Sequence, residues 1–105
     1  MARIELAPEV LDDFDRFFDH LAQFAPAAAP ARIGAIVESL QILQHSPLIG
    51  RPLRGGLREL VIGERTRGYV ALYRYVPDIE TVFVLAIRAQ CEASFSPERR
   101  RRPDG

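Results

Sequence analysis

The chain has 105 residues, of which 48% are hydrophobic and 27% charged, and its formal net charge at pH 7 is zero. This length and composition predict one domain with its own core and argue against a disordered chain. A single cysteine, Cys91, excludes an internal disulfide, and no apolar run approaches the roughly 20 residues of a membrane helix. The first residues lack the basic region and apolar core of a signal peptide, so we expect a cytoplasmic protein.

The first elements are a short strand and an amphipathic helix. Arg3-Ile-Glu-Leu6 alternates between polar and apolar residues, and Pro8 suits the first turn of a helix. The apolar residues that follow are spaced by three and four, as on one helix face: Val10, Leu11, Phe14, Phe17, Phe18, Leu21 and Phe24. Four acidic residues lie near the start of this helix, where the helix dipole favours negative charge. They predict a solvated face: Glu9, Asp12, Asp13 and Asp15.

A second helix is predicted from Pro30 to the segment His45-Ser46-Pro47, because proline disfavours a helical residue before it. Its apolar residues again have helical spacing: Ile33, Ile36, Val37, Leu40 and Leu43. The two helices should form an antiparallel hairpin that packs one shared apolar face against a sheet.

Three later segments are rich in β-branched and aromatic residues: Leu57–Ile62, Arg67–Tyr75 and Thr81–Arg88. Short breaker-rich segments separate them, which predicts a three-stranded antiparallel meander. The preceding segment, 48–56, is interpreted as a loop. We therefore expect an α+β fold in residues 1–95, with the N-terminal strand joining the sheet edge, and a basic, flexible tail in residues 96–105.

The residue types of metal and cofactor sites are not grouped in this sequence. His20 and His45 are far apart, Cys91 stands alone, and the glycines match no nucleotide-binding fingerprint. His20 is better interpreted as a solvated residue, and His45 as a partner for the last carbonyls of a helix. The sequence predicts no metal and no cofactor.

All fourteen basic residues are arginines, and they are unevenly distributed. Residues 1–48 hold three basic and seven acidic side chains, whereas residues 49–105 hold eleven basic and seven acidic ones. Seven arginines lie in or beside the predicted meander: Arg51, Arg54, Arg58, Arg65, Arg67, Arg74 and Arg88. They could be surface residues paired with Glu59, Glu64 and Glu80, reflecting an arginine-favouring genome, or a basic surface for nucleic acid or an acidic protein.

Strand periodicity gives each candidate arginine a face, although it does not show which face is covered. A period of two places Arg74 with Val70 and Leu72. The same period places Arg88 with Val82, Val84 and Ala86.

The order of strand, helix hairpin and meander resembles the RelE/ParE superfamily of toxins from bacterial type II toxin–antitoxin modules. The resemblance covers roughly residues 3 to 95. Its markers are Ile4-Glu-Leu-Ala-Pro-Glu9, Ser46-Pro47, Gly50-Arg-Pro-Leu-Arg-Gly-Gly-Leu-Arg-Glu-Leu60, Arg67-Gly-Tyr-Val-Ala-Leu-Tyr-Arg-Tyr75 and the strand that ends at Arg88.

The resemblance implies one of two activities. RelE-like members are ribosome-dependent mRNA endonucleases with a Gly-Tyr-Arg strand and a C-terminal segment that carries basic residues and a tyrosine, whereas ParE-like members poison DNA gyrase. This chain has Val70 in place of the arginine, and its C-terminal segment has Cys91 and Phe95. These departures favour a ParE-like toxin without catalytic residues, in which the seven arginines bind the target. The alternative is a ribosome-dependent endonuclease that uses Arg67, Arg74 and Arg88.

The resemblance also implies a partner, a ParD-like antitoxin whose flexible C-terminal part folds on the toxin. The basic second half of the chain suits an acidic antitoxin segment, and exposed parts of the helix hairpin and sheet are the expected landing surface. A non-toxic member that only binds its antitoxin is a further alternative.

Overall fold

The computed structural model describes residues 1–24, 26–63 and 68–89, and these form two α-helices and five strands. The predicted tail, Cys91, Phe95, Arg65 and Arg67 lie outside the described residues. The elements are β1 (Arg3–Leu6), α1 (Pro8–Phe24), α2 (Ala29–Leu40), β2 (Arg51–Pro52), β3 (Leu57–Ile62), β4 (Tyr69–Val76) and β5 (Thr81–Ala89). Neither helix is long and apolar enough to cross a membrane.

α1 presents part of its predicted apolar face to the core. Val10 is fully buried, and the ring of Phe17 lies 5.0 Å from that of Tyr69 on β4. Leu11 and Phe18 belong to the same sequence pattern, yet they are 55% and 44% exposed. The pattern describes a stripe wider than the contact with the sheet, so its margins stay in solvent.

α2 ends earlier than the apolar periodicity suggests. Its α-helical part stops at Leu40, and the chain continues as a tighter 3-10 segment over Gln41–Gln44. Ile36, Leu40 and Leu43 are nonetheless buried, so the predicted core residues keep their role across the change of helix type. The helical segment ends before His45, as predicted.

The five strands form one sheet in the order β1-β5-β4-β3-β2. The predicted meander is confirmed, because β3, β4 and β5 pair antiparallel in sequence order. β1 joins the edge as predicted and pairs parallel with β5. β2 lies in the segment 48–56, which was predicted to be a loop. Its two residues pair with Arg58 and Glu59 of β3 and are too few to show an alternating pattern.

The helices cover one face of the sheet. Residues of three strands bury their side chains against α1 and α2: Ile62, Tyr69, Ala71, Tyr73, Val82, Val84 and Ile87. Direct antiparallel partners point to the same face, so the alternate residues of these strands point away from the helices. We call that second side the outer face.

A β-bulge corrects the predicted position of Arg88. The register between β4 and β5 shifts at Leu72/Tyr73, since Leu72 pairs with Ala86 while Tyr73 pairs with Val84. The extra residue reverses the alternation, so that Val84 and Ile87 both point to the core. Arg88 therefore lies on the outer face, opposite the side to which strict alternation assigned it with Val82 and Val84.

Asp13 corrects the prediction of a solvated acidic row. Glu9, Asp12 and Asp15 are exposed, but Asp13 is only 7% exposed. Its Oδ2 accepts a hydrogen bond from the backbone N–H of Ile87 at 2.9 Å, and its Oδ1 accepts one from Arg16 at 2.9 Å. Pairing with β1 reaches only as far as Val84, so the carboxylate satisfies a β5 donor beyond the end of β1.

Candidate interaction face of the sheet

The outer face carries an apolar strip between two arginines. Val70 and Leu72 of β4, with Phe83 and Ala86 of β5, are half-buried and lie side by side in the register. Arg88 pairs with Val70 at one end of this strip, and Arg74 pairs with Phe83 at the other.

The spacing of Arg74 and Arg88 follows from the strand geometry. With a rise of about 3.3 Å per residue, Val70 and Arg74 are about 13 Å apart along β4. Because Arg88 lies beside Val70, the two arginines are separated by a similar distance. A surface of this kind suits an extended partner with apolar side chains between two negative groups.

The arginines of the sheet differ in whether a described carboxylate neutralises them. Arg51 forms an ion pair with Glu59, and Arg3 forms one with Glu5 at 3.2 Å. Arg74 and Arg88 are exposed, and neither makes an ion pair or a side-chain hydrogen bond with a described residue. A guanidinium without such a partner can form charge-assisted hydrogen bonds to an anionic group.

The other arginines of the predicted set differ in their surroundings. Arg58 is half-buried, and its Nη1 donates to the backbone oxygens of Leu48 at 3.0 Å and Gly50 at 2.8 Å. These bonds hold the loop before β2, which gives Arg58 a structural role. Arg54 is exposed beside β3. Within the described ranges, the expected pairing of arginine with glutamate is found at Glu59 but not at Glu80.

Groups suited to proton transfer lie mainly on the opposite side of the sheet. The three tyrosines of β4, Tyr69, Tyr73 and Tyr75, alternate toward the helices, and the hydroxyl of Tyr73 accepts a hydrogen bond from the Gly50 N–H at 2.8 Å. His20 belongs to α1, and His45 follows the 3-10 segment after α2. The described carboxylates of the outer face strands, Glu5 and Glu59, are both ion-paired.

Metal binding has no visible site in the described ranges, where no three His, Cys, Asp or Glu side chains converge. Two features of the structure depend on packing and were not predicted from the sequence. One is the buried carboxylate of Asp13, and the other is a cavity beside Arg32 at the start of α2. Neither residue has a sequence signal, because each looks like an ordinary charged residue of an amphipathic helix.

The two-helix layer on one face of a mixed five-stranded sheet agrees with the fold expected of a RelE/ParE-type toxin. The family model described as the ParE toxin of the type II toxin–antitoxin system, parDE, matches residues 4–93. The chain belongs to this family. The resemblance inferred from the sequence is thereby confirmed.

Comparisons with individual proteins agree with the family. Toxin RelE3 of Caulobacter vibrioides is 36% identical over 93 residues, which is 88% of this chain and 98% of that protein. A chain of the chromosomal ParDE system from P. aeruginosa superposes with a TM-score of 0.73 at 24% identity, covering 85% of this chain and 96% of its own length. A chain of the intact E. coli RelBE toxin–antitoxin complex superposes with a TM-score of 0.60 at 16% identity, covering 85% and 96%. These structures confirm the predicted α+β fold.

Proposed function

We propose that this toxin acts in the ParE manner, by binding and inhibiting DNA gyrase rather than by cleaving RNA. The observation that carries the proposal is the composition of the outer face. At the position of the nuclease arginine stands Val70, half-buried in an apolar strip, and two arginines without a partner among the described residues, Arg74 and Arg88, lie at the ends of that strip.

The chemistry of RNA cleavage explains why this composition matters. Attack by a ribose 2′-hydroxyl requires a base, an acid and positive charge at the phosphate, and loss of one positioned group costs roughly 100-fold or more in rate. The described outer face offers cations, but its described carboxylates are ion-paired and the tyrosines of β4 point to the helices. Such a surface is better suited to binding than to proton transfer.

The same surface supports a cognate antitoxin as the physiological partner, acting in the cytoplasm. An amphipathic acidic segment would place apolar side chains on Leu72 and Phe83 and carboxylates near Arg74 and Arg88. Opposite charges at the two ends would fix its register and speed association. The names of the ParDE and RelBE structures describe toxin–antitoxin systems or complexes of related fold, which agrees with this partnership.

A ribosome-dependent endonuclease is the second candidate, and the name of the RelE3 relative favours it. In that case Arg67, Arg74 and Arg88 would act on the scissile phosphate. A member that binds its antitoxin without being toxic is the third candidate.

Unopposed expression distinguishes the three candidates. The chain is induced in a bacterial host without an antitoxin, and the DNA-damage response is recorded together with the rate of protein synthesis. Gyrase inhibition predicts damage signalling while translation continues. Prompt translational arrest with cut mRNA and no early damage signal would contradict the proposal and favour the nuclease. Normal growth with soluble toxin present would favour the non-toxic member.

A charge-removal experiment tests the role of the outer face. In purified protein, Arg74→Ala and Arg88→Ala should each weaken inhibition of gyrase supercoiling by about tenfold or more, because each removes an unpaired cation from the binding surface. The matched control is Arg3→Ala, which removes an arginine already paired with Glu5 and should change inhibition little. Full inhibition by a folded double variant would exclude these two arginines from the site.

A further inference from the structure

A cavity of about 280 Å³ lies between the first half of α2 and the adjoining ends of β3 and β4. Arg32, Ala35 and Ile36 line it from the helix. Ile62 and Tyr69 line it from the sheet, and Gly63 and Gly68 border it. This combination of an apolar wall with few polar groups is typical of small-ligand pockets. The cavity is on the helical side of the sheet, separate from the outer face.

Arg32 gives the cavity a positive charge that no described residue neutralises. The residue is half-buried, and its guanidinium makes no ion pair or side-chain hydrogen bond with a described residue. The first turn of α2 contains no acidic residue that could pair with it. An anion in the cavity would therefore be stabilised by the guanidinium.

Tyr69 is a buried residue whose hydroxyl has no hydrogen-bond partner among the described residues. The residue is only 8% exposed, and its ring packs on Phe17 at a centroid distance of 5.0 Å. Its hydroxyl makes no hydrogen bond to a described residue, whereas the hydroxyl of Tyr73 on the same strand does. A buried polar group is normally hydrogen-bonded, so this hydroxyl offers a hydrogen-bond partner to a molecule in the cavity.

We propose that this cavity is a binding site for a small apolar carboxylic acid. The apolar body would lie against Ile36, Ile62 and the Tyr69 ring. The carboxylate would accept charge-assisted hydrogen bonds from Arg32 and would lie in the same cavity as the Tyr69 hydroxyl. The proposal rests on these three features and does not depend on whether the target of the toxin is gyrase.

Phenylacetate and its neutral amide, phenylacetamide, provide a matched pair of probes. Each is titrated into the full chain while amide proton–nitrogen NMR signals are followed. Phenylacetate should cause saturable shifts centred on Ala35, Gly63 and Tyr69. The amide should bind about tenfold more weakly or not at all, because it lacks the charge that Arg32 recognises.

Two variants test the recognition. Arg32→Gln should lower the affinity for phenylacetate about tenfold, to that of the amide, and Tyr69→Phe should lower it less because the ring remains. Arg54→Gln, at an exposed arginine beside β3, is the control and should leave binding unchanged. The proposal is wrong if saturable shifts are missing at the cavity, if both probes bind equally, or if Arg32→Gln, with an otherwise unchanged spectrum, binds like the parent chain.

Discussion

Single polar contacts hold parts of this protein that are distant in sequence. Asp13 joins α1 to β5 across 74 positions, and Arg58 holds the loop before β2 through two backbone oxygens. Tyr73 binds the same loop at Gly50. Each contact satisfies backbone groups that the sheet ladder leaves unpaired, which is why these side chains differ in role from other polar residues nearby.

At Asp13, removal of the carboxylate should be more costly than its helical position suggests. Asp13→Ala leaves the Ile87 N–H without its partner, and we expect a loss of about 1–3 kcal/mol in the free energy of unfolding. Asp12→Ala is the control, because Asp12 is exposed, and it should change stability by about 0.5 kcal/mol or less. Urea denaturation measures both. Equal losses would show that the Asp13 hydrogen bond contributes nothing specific.

Alanine substitution should change the stability of the protein in opposite directions at Gly50 and at Gly34. A Cβ on Gly50 would lie 2.6 Å from the Tyr73 hydroxyl oxygen and 2.8 Å from the Glu59 carbonyl oxygen, so Gly50→Ala should destabilise by about 1–3 kcal/mol.

Gly34 is exposed in α2, and its added Cβ would meet nothing within 4 Å. Gly34→Ala should therefore stabilise by about 0.5–1 kcal/mol through helix propensity. Thermal melts of the two variants against the parent chain check the opposite signs. A stabilised Gly50→Ala would contradict the close packing at Gly50, and a destabilised Gly34→Ala would contradict the open space at Gly34.

At the scale of the element, α1 buries fewer apolar residues than its sequence pattern predicts. α1 buries Val10 and Phe17 but leaves Leu11 and Phe18 in solvent. In β5, the bulge places Arg88 on the outer face, at the end of the apolar strip opposite Arg74. The candidate interaction face therefore depends on a local irregularity of one strand.

Phe17 and Phe18 should differ strongly in their contribution to stability. Phe17 is 5% exposed and packs against the Tyr69 ring in a tilted arrangement, so Phe17→Ala should cost about 3–5 kcal/mol. Phe18 is 44% exposed, and Phe18→Ala should cost about 1 kcal/mol or less. Chemical denaturation of the two neighbouring variants gives the difference directly. Similar losses would mean that α1 is rotated about its axis relative to the structure described here.

At the scale of the whole molecule, β1 ties the start of the chain to its last described strand. Residues Arg3 to Leu6 pair in parallel with Thr81 to Val84, and Ile4 packs against the core. Ala2 is also buried, and its N–H donates to Gln44 beyond α2. The N-terminal segment thus contacts both the sheet and the helical layer.

Removal of this segment should disrupt the domain as a unit. We expect a chain that lacks residues 1–6 to lose its cooperative thermal transition, because the segment contacts both layers and a typical domain is stable by only about 5–15 kcal/mol. Arg3→Ala with Glu5→Ala is the control, since this exposed ion pair is worth only about 0–1 kcal/mol. Circular dichroism melts test both. A cooperative melt near the parent temperature would show that β1 is dispensable.

The sequence by itself determined the two helices, four of the five described strands and their order. Periodic spacing of apolar residues identified both helices, and β-branched runs identified the meander, because these patterns reflect local geometry along one segment. The family markers identified the toxin class in the same way. Two-residue β2 and the 3-10 segment Gln41–Gln44 were not predicted, since neither is long enough to carry a periodic signal.

Only the tertiary structure decided which charged residues have a partner among the described residues and which do not. Asp13 and Arg58 satisfy backbone groups, Arg51 is paired with Glu59, and Arg74 and Arg88 are unpaired among the described residues. These differences arise from contacts between distant segments and from a bulge that reverses strand alternation. One-dimensional patterns do not contain that information, because the same side chain is a surface residue or a structural one according to what folding places beside it.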